Sequence, residues 1–209
     1  MATTTPTSNL STMLGPDPSV ERLFDNVQAV VPAVGLAMVK LAAWNTIEEF
    51  YIQSTFCREH IFWKMADGVQ TIDFNPFSAT ELVAWVLSYK GLSRGKVEPP
   101  GVLRDLTFPV STEEREGEAW LALKPVSFDA VNCGCSQELW SSWFEPILDG
   151  TLGRLYSQPA KPYSSPQLAQ YHMRRYRKGI AQARDVANRG FTNGVAWRFP
   201  YFAGGGRRT

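Results

Sequence analysis

The chain has 209 residues, 44% of them apolar, and a formal net charge of +1 at pH 7, which is enough for one good core without covalent staples. No run reaches the roughly 18 apolar residues of a membrane span, and the first residues lack a charged stretch followed by an apolar one, so neither a membrane protein nor a signal peptide is expected. Cys57, Cys133 and Cys135 are too few and too odd in number for a disulfide framework, and reduced thiols in an intracellular protein are expected.

The small net charge conceals a division. Residues 1–160 hold 11 Lys or Arg against 19 Asp or Glu, net −8, whereas residues 161–209 hold 10 against one, Asp185, net +9. The potential of each part reaches about 8–10 Å before salt screens it. The basic end can fold back on the acidic body, meet an acidic partner, or bind nucleic acid.

Residues 1–19 are rich in Thr, Ser and Pro; they cannot supply a core and read as an N-terminal arm. A short helix is expected around 19–27 and a longer one over about 32–53, with Pro32 at its first position. Leu36, Val39, Ala43, Ile47 and Phe50 fall on one stripe of it, with Glu48 and Glu49 off the stripe. The period then changes. VQTIDFNPFS sets Val69, Thr71 and Asp73 opposite Ile72 and Phe74, and ELVAWVLSYKG reads as a second strand ending at Gly91. EPPGVLRDLTFPVS is a turn with a short extended piece, and EAWLALKPVSF a further strand stopped by Pro125. These segments predict a small antiparallel β insertion at about 69–126.

Two helices close the domain. The first, over about 137–156, is apolar through Leu139, Trp140, Trp143, Phe144, Ile147, Leu148, Leu152 and Leu155, an arc broad enough to be buried against more than one neighbour. Pro146 should kink or split it. The second, over about 166–189, has Ser165 as its cap and Pro166 in its first turn. Leu168, Ala169, His172, Met173, Tyr176, Gly179, Ile180, Ala183, Val186 and Ala187 occupy one arc of about 140° at 100° per residue. Arg174, Arg175, Arg177, Lys178, Arg184 and Arg189 lie off that arc, so the charge points outward.

No catalytic arrangement is legible. His172 sits on the apolar arc as a core-edge residue and His60 reads as a surface residue. Cys57-x-x-His60 lacks a second half, and Cys133-Gly134-Cys135 is more tightly spaced than paired zinc ligands usually are. AGGGRRT at the end precedes no helix that would make it a phosphate loop. No enzyme, metal or cofactor is therefore expected. The basic helix carries its charge mid-helix, with only Gln167 and Gln170 near its start, which argues against reading base edges in a major groove. Its small, alanine-rich apolar face argues against membrane adsorption. The segment WRFPYF gathers aromatics around Arg198, the residue types that anchor protein interfaces.

PAVGLAMVKLAAWNTIEEFYIQSTFCREHIFWKM, with Pro32, Ala42, Ala43, Glu49, Phe50, Arg58 and Trp63, resembles the opening helix and aromatic turn of the head-to-tail adaptor, or head-completion, proteins of tailed bacteriophages. LWSSWFEPILDGTLGRLYSQPAKPYSSPQLAQYHMRRYRKGIAQARDVANRG is similar to their closing helices, and WRFPYFAGGGRR to their partner-embracing tail. The likeness covers about residues 32–65 and 139–208. Asn45 and Thr46 in mid-helix, the offset of Cys57 and the interrupting Pro146 depart from the pattern.

The resemblance implies a mainly α fold: a helical bundle with a small antiparallel β insertion and extended N- and C-terminal arms. It divides the chain into an arm at 1–19, an adaptor domain at 20–189 and a docking tail at 190–209. It implies a non-enzymatic structural protein made in the host cytoplasm and built into the virion neck. There it forms a ring, typically of twelve identical subunits, between the portal protein and a tail or nozzle protein, with double-stranded DNA passing through. The residues expected to dock the partner are Arg174, Arg177, Lys178, Trp197, Arg198, Phe199, Tyr201, Phe202, Arg207 and Arg208. The alternative is a nucleic-acid-binding module that uses the same helix and tail on phosphate.

Overall fold

The computed structural model describes residues 18–65, 71–73, 80–91, 105–107, 115–128 and 136–192. Of the arms expected at 1–19 and 190–209, residues 18–19 belong to the first helix and 190–192 to the last, and the remainder lies outside the described residues. The described chain is mainly helical with a small three-stranded antiparallel sheet.

Helix α1, Pro18–Val30, buries Val20, Leu23 and Val27. Helix α2 runs Leu36–Ser54. It starts one turn later than the proline suggests: Gly35 occupies the cap, and Val31 and Val34 are both buried, with the Val34 amide donating to Val31 O at 3.2 Å. Pro32 therefore shapes the turn between helices. Of the predicted stripe, Val39, Ala43, Ile47 and Phe50 are buried, while Leu36, at the first helical position, is 45% exposed.

The β unit begins earlier than expected, at Arg58 instead of near residue 69. Strand β1 is Arg58–Met65, β2 Thr71–Asp73, β3 Glu81–Gly91, β4 Asp105–Thr107 and β5 Arg115–Pro125. The larger sheet has the order β1-β5-β3, and β2 pairs with β4 apart from it. Ala119, Leu121 and Leu123 of the central strand join the main core, whereas Glu118, Trp120 and Lys124 stay partly exposed and the small Ala122 is buried outside that cluster. That alternation is what a strand with one covered face requires.

The region expected as one kinked helix is two: α3, Ser136–Ser142, and α4, Phe144–Tyr156. Pro146 falls in the first turn of α4, where its missing amide hydrogen costs nothing, so the helix breaks at Trp143 ahead of it. Helix α5 runs Pro166–Thr192. Ser165 caps it, accepting from the Leu168 amide at 3.4 Å, with Pro166 as the first helical residue.

Helices α2, α4 and α5 meet closely through glycine. A Cβ on Gly150 would stand 2.4 Å from Thr46 Cγ2 and 2.7 Å from the Tyr176 ring; on Gly179, 2.5 Å from Pro146; on Gly153, 2.8 Å from Met173. Thr46, the mid-helix departure, is buried and returns its hydroxyl to Ala42 O at 2.7 Å, the usual way a helix accommodates a buried threonine.

Candidate functional site

Helix α5 is fixed through one face, which determines what the other can offer. Ala169, Tyr176, Gly179, Ile180 and Ala183 are buried, with His172, Met173 and Ala187 partly so. Leu168 and Val186, at one edge of the predicted arc, are 44% and 55% exposed, so the buried stripe is narrower than periodicity suggests.

Several basic groups are held within the chain. Arg154 of α4 pairs with Glu49 and donates from Nε to Thr46 Oγ1 at 3.1 Å. Arg175 Nε lies 2.9 Å from Asp149 Oδ2 while His172 Nδ1 lies 2.8 Å from Oδ1, so one carboxylate, 9% exposed, ties two successive turns of α5 to α4. The Tyr171 hydroxyl and then Asp149 hold the Arg175 guanidinium above its usual pKa. Arg184 Nε donates to Gln53 O at 2.8 Å, Arg189 pairs with Asp185 at 2.5 Å, and Lys124 with Glu48 at 2.7 Å. Arg58 donates to Thr55 O at 2.7 Å and to Asn188 Oδ1 at 2.8 Å; its burial lowers its pKa.

Arg174, Arg177 and Lys178 differ. All three are exposed, and among the described residues none has a hydrogen-bond or ion-pair partner. Their spacing puts them side by side on the surface opposite the core stripe. Like charges at i, i+3 and i+4 each cost a helix a few tenths of a kcal/mol. Such a stripe weakens the helix alone and gains on meeting carboxylates or phosphates. Part of the basic end thus folds back on the acidic body, through Arg175, and part does not.

Trp197, Arg198, Phe199, Tyr201, Phe202, Arg207 and Arg208 lie outside the described residues, so Arg174, Arg177 and Lys178 are the part of the predicted docking set that the structure brings together. His172 is the partly buried core-edge residue expected. His60, expected at the surface, is half-buried in β1: its ring stacks on Trp120 at 4.6 Å and its Nε2 lies 3.1 Å from Glu118 Oε2. Cys57 is disulfide-bonded, which corrects the expectation of reduced thiols: an odd count excludes a complete framework but not a single bridge. Cys133 and Cys135 lie outside the described residues. Among the described residues, no three His, Cys, Asp or Glu side chains converge as metal ligands would, and no helix is long and apolar enough to cross a membrane.

Sequence reasoning missed two features. One is the Asp149 clamp, signalled only by the coincidence of a carboxylate on the inner face of α4 with His172. The other is an exposed aromatic ledge on β1, signalled by His60 and Phe62 at strand spacing. No protein-family model and no curated protein matches this chain.

Proposed function

We propose that the protein is a structural ring adaptor of a tailed-phage virion, seated between the portal and the tail, and that the outer stripe of α5 together with the C-terminal segment docks it on its partner. The observation that carries this reading is the stripe itself: Arg174, Arg177 and Lys178 are exposed and unpaired among the described residues while neighbouring cations are held by intrachain acceptors. The rigid support beneath it fits docking, since the Asp149 clamp and the glycine-mediated packing fix the stripe's orientation. Charge assists encounter, and the aromatics of residues 197–202 would supply the buried area. Repetition around a ring multiplies modest contacts into firm attachment. Co-sedimentation of the full chain with isolated portal rings tests the reading: attachment supports it, and absence of attachment at moderate salt contradicts it.

The second reading is a non-specific nucleic-acid-binding module, favoured by the same stripe, because phosphates need only accessible cations. It predicts duplex binding that falls steeply between about 50 and 200 mM salt.

A further inference from the structure

Two sets of like charge with the same spacing face out from different helices. On α5, Arg174 and Lys178 stand one turn apart with Arg177 beside them; on α1, Glu21 and Asp25 also stand one turn apart, about 6 Å along the axis at roughly 1.5 Å per residue. All of these side chains are exposed, and none has a hydrogen-bond or ion-pair partner among the described residues. Arg22, the cation nearest the carboxylates in sequence, is held over the Phe144 ring at 4.6 Å and pairs with neither. Within one subunit each set only repels itself. Other exposed carboxylates offer no such match: Glu59 and Glu138 stand singly, Glu145 lies beside Arg175, and Asp185 pairs with Arg189.

Helix α4 keeps the two sets apart. Both α1 and α5 pack on α2 and α4. Helix α5 meets α4 along Pro146, Gly150 and Gly153, whereas α1 lies where Arg22 covers Phe144. Phe144 and Pro146 are two residues apart, about 200° around a helix of about 3.6 residues per turn, so α1 and α5 flank α4 on opposite sides. The subunit thus carries a basic stripe on one flank and an acidic pair on the other.

We infer that the α5 stripe of one subunit seats on the Glu21 and Asp25 face of the next, so that the stripe's partner is a second copy of this chain. The equal spacing lets Arg174 and Lys178 meet both carboxylates at once, with Arg177 alongside. Ala29 on α1 and Ala181 on α5 are exposed and lie one turn beyond the charges, so neither helix carries a bulky side chain there to hold the backbones apart. Because the two faces lie on opposed flanks, a pair of subunits cannot satisfy both contacts at once. The contact is therefore heterologous, repeating from subunit to subunit into a ring where the rotation closes. Exposed ion pairs are individually weak, so the link forms where subunits are already held close and becomes firm by repetition. Its role in assembly rests on the adaptor reading: the portal gathers the subunits and the stripe joins neighbours.

Carbodiimide cross-linking of the full chain at low salt tests the pairing, since the reagent joins a carboxylate to an amine in direct contact and traps even brief encounters. Two isotopically distinct pools of the protein are mixed, so that a Lys178 peptide joined to a Glu21 or Asp25 peptide across pools marks contact between copies. One variant reverses the stripe, Arg174→Glu with Lys178→Glu, and another reverses the acidic face, Glu21→Lys with Asp25→Lys. The native chain should give the cross-pool product, and each variant alone should lose cross-linking between positions 174–178 and 21–25 about tenfold or more. Mixing the two variants should restore it, because each then offers the charge that the other lacks. A native chain without the product, variants that cross-link as well alone as the native chain does, or a mixture that recovers nothing would each overturn the inference. Co-sedimentation with portal rings separates it from the adaptor reading. Attachment lost on reversing the stripe and not restored by the mixture puts the stripe on the portal itself, which overturns the pairing and keeps the adaptor; restored pairing without any attachment does the reverse. Duplex binding lost on reversing the stripe, in a chain that gives no cross-pool product, assigns the stripe to nucleic acid and overturns the pairing as well.

Discussion

The phenol of Tyr176 donates a 2.7 Å hydrogen bond to the carbonyl oxygen of Thr46, and Gly150 of α4 lies between the two residues. This point joins α2, α4 and α5, and burial pushes the Tyr176 phenol well above its ordinary pKa, so it stays a donor. Tyr176→Phe should cost about 1 kcal/mol of stability, the worth of one buried neutral hydrogen bond. Urea denaturation measures it, and an unchanged midpoint would mean that the bond contributes nothing net.

Gly150→Ala should cost more, about 1–3 kcal/mol, because the new methyl meets Thr46 Cγ2 at 2.4 Å and an aromatic ring that cannot retreat. Gly35→Ala is the control. Its Cβ meets nothing within 4 Å and its φ is −72°, so no clash arises; the poorer helix cap that alanine makes offsets its lower unfolded-chain entropy, and the net change should stay within about 1 kcal/mol. Thermal melts of the two variants should move apart, and equal melting temperatures would contradict the close-packed α4 contact.

Asp149→Ala removes the acceptor shared by His172 and Arg175. Arg175 is half exposed and can turn to water, so the loss should be about 1–3 kcal/mol and come mainly from the buried histidine contact. Exchange of the α5 amides near His172 should rise with it. Unaltered exchange there would show that packing alone holds the helix.

Much of this architecture was legible in the sequence. The third and fifth strands were marked by their turns and Pro125, α5 by Ser165 and Pro166, and the α3–α4 break by Pro146, because each signal is a local backbone constraint. Strand β1 was not legible. His60, Ile61, Phe62 and Trp63 are apolar or aromatic in succession, so the two-residue alternation vanishes: Ile61 packs on the core while Phe62 stands on the exposed ledge. The outward charge of α5 could be read from its period. Which cations stay unpaired could not, since that depends on Asp149 and Gln53 arriving from other helices.

Reversing charge at two positions of the stripe, Arg177→Glu with Lys178→Glu, should leave thermal stability within about 0.5 kcal/mol, as both side chains are exposed. It should weaken attachment to the portal, most strongly at low salt. Undiminished attachment would place the docking surface elsewhere.

The most direct test of the adaptor account is the native mass of the full chain by light scattering at moderate salt, alone and mixed with its candidate portal. The account predicts a defined multimer in the presence of the portal. A species that ignores the portal and instead gains mass on adding duplex DNA would contradict it and favour the nucleic-acid reading.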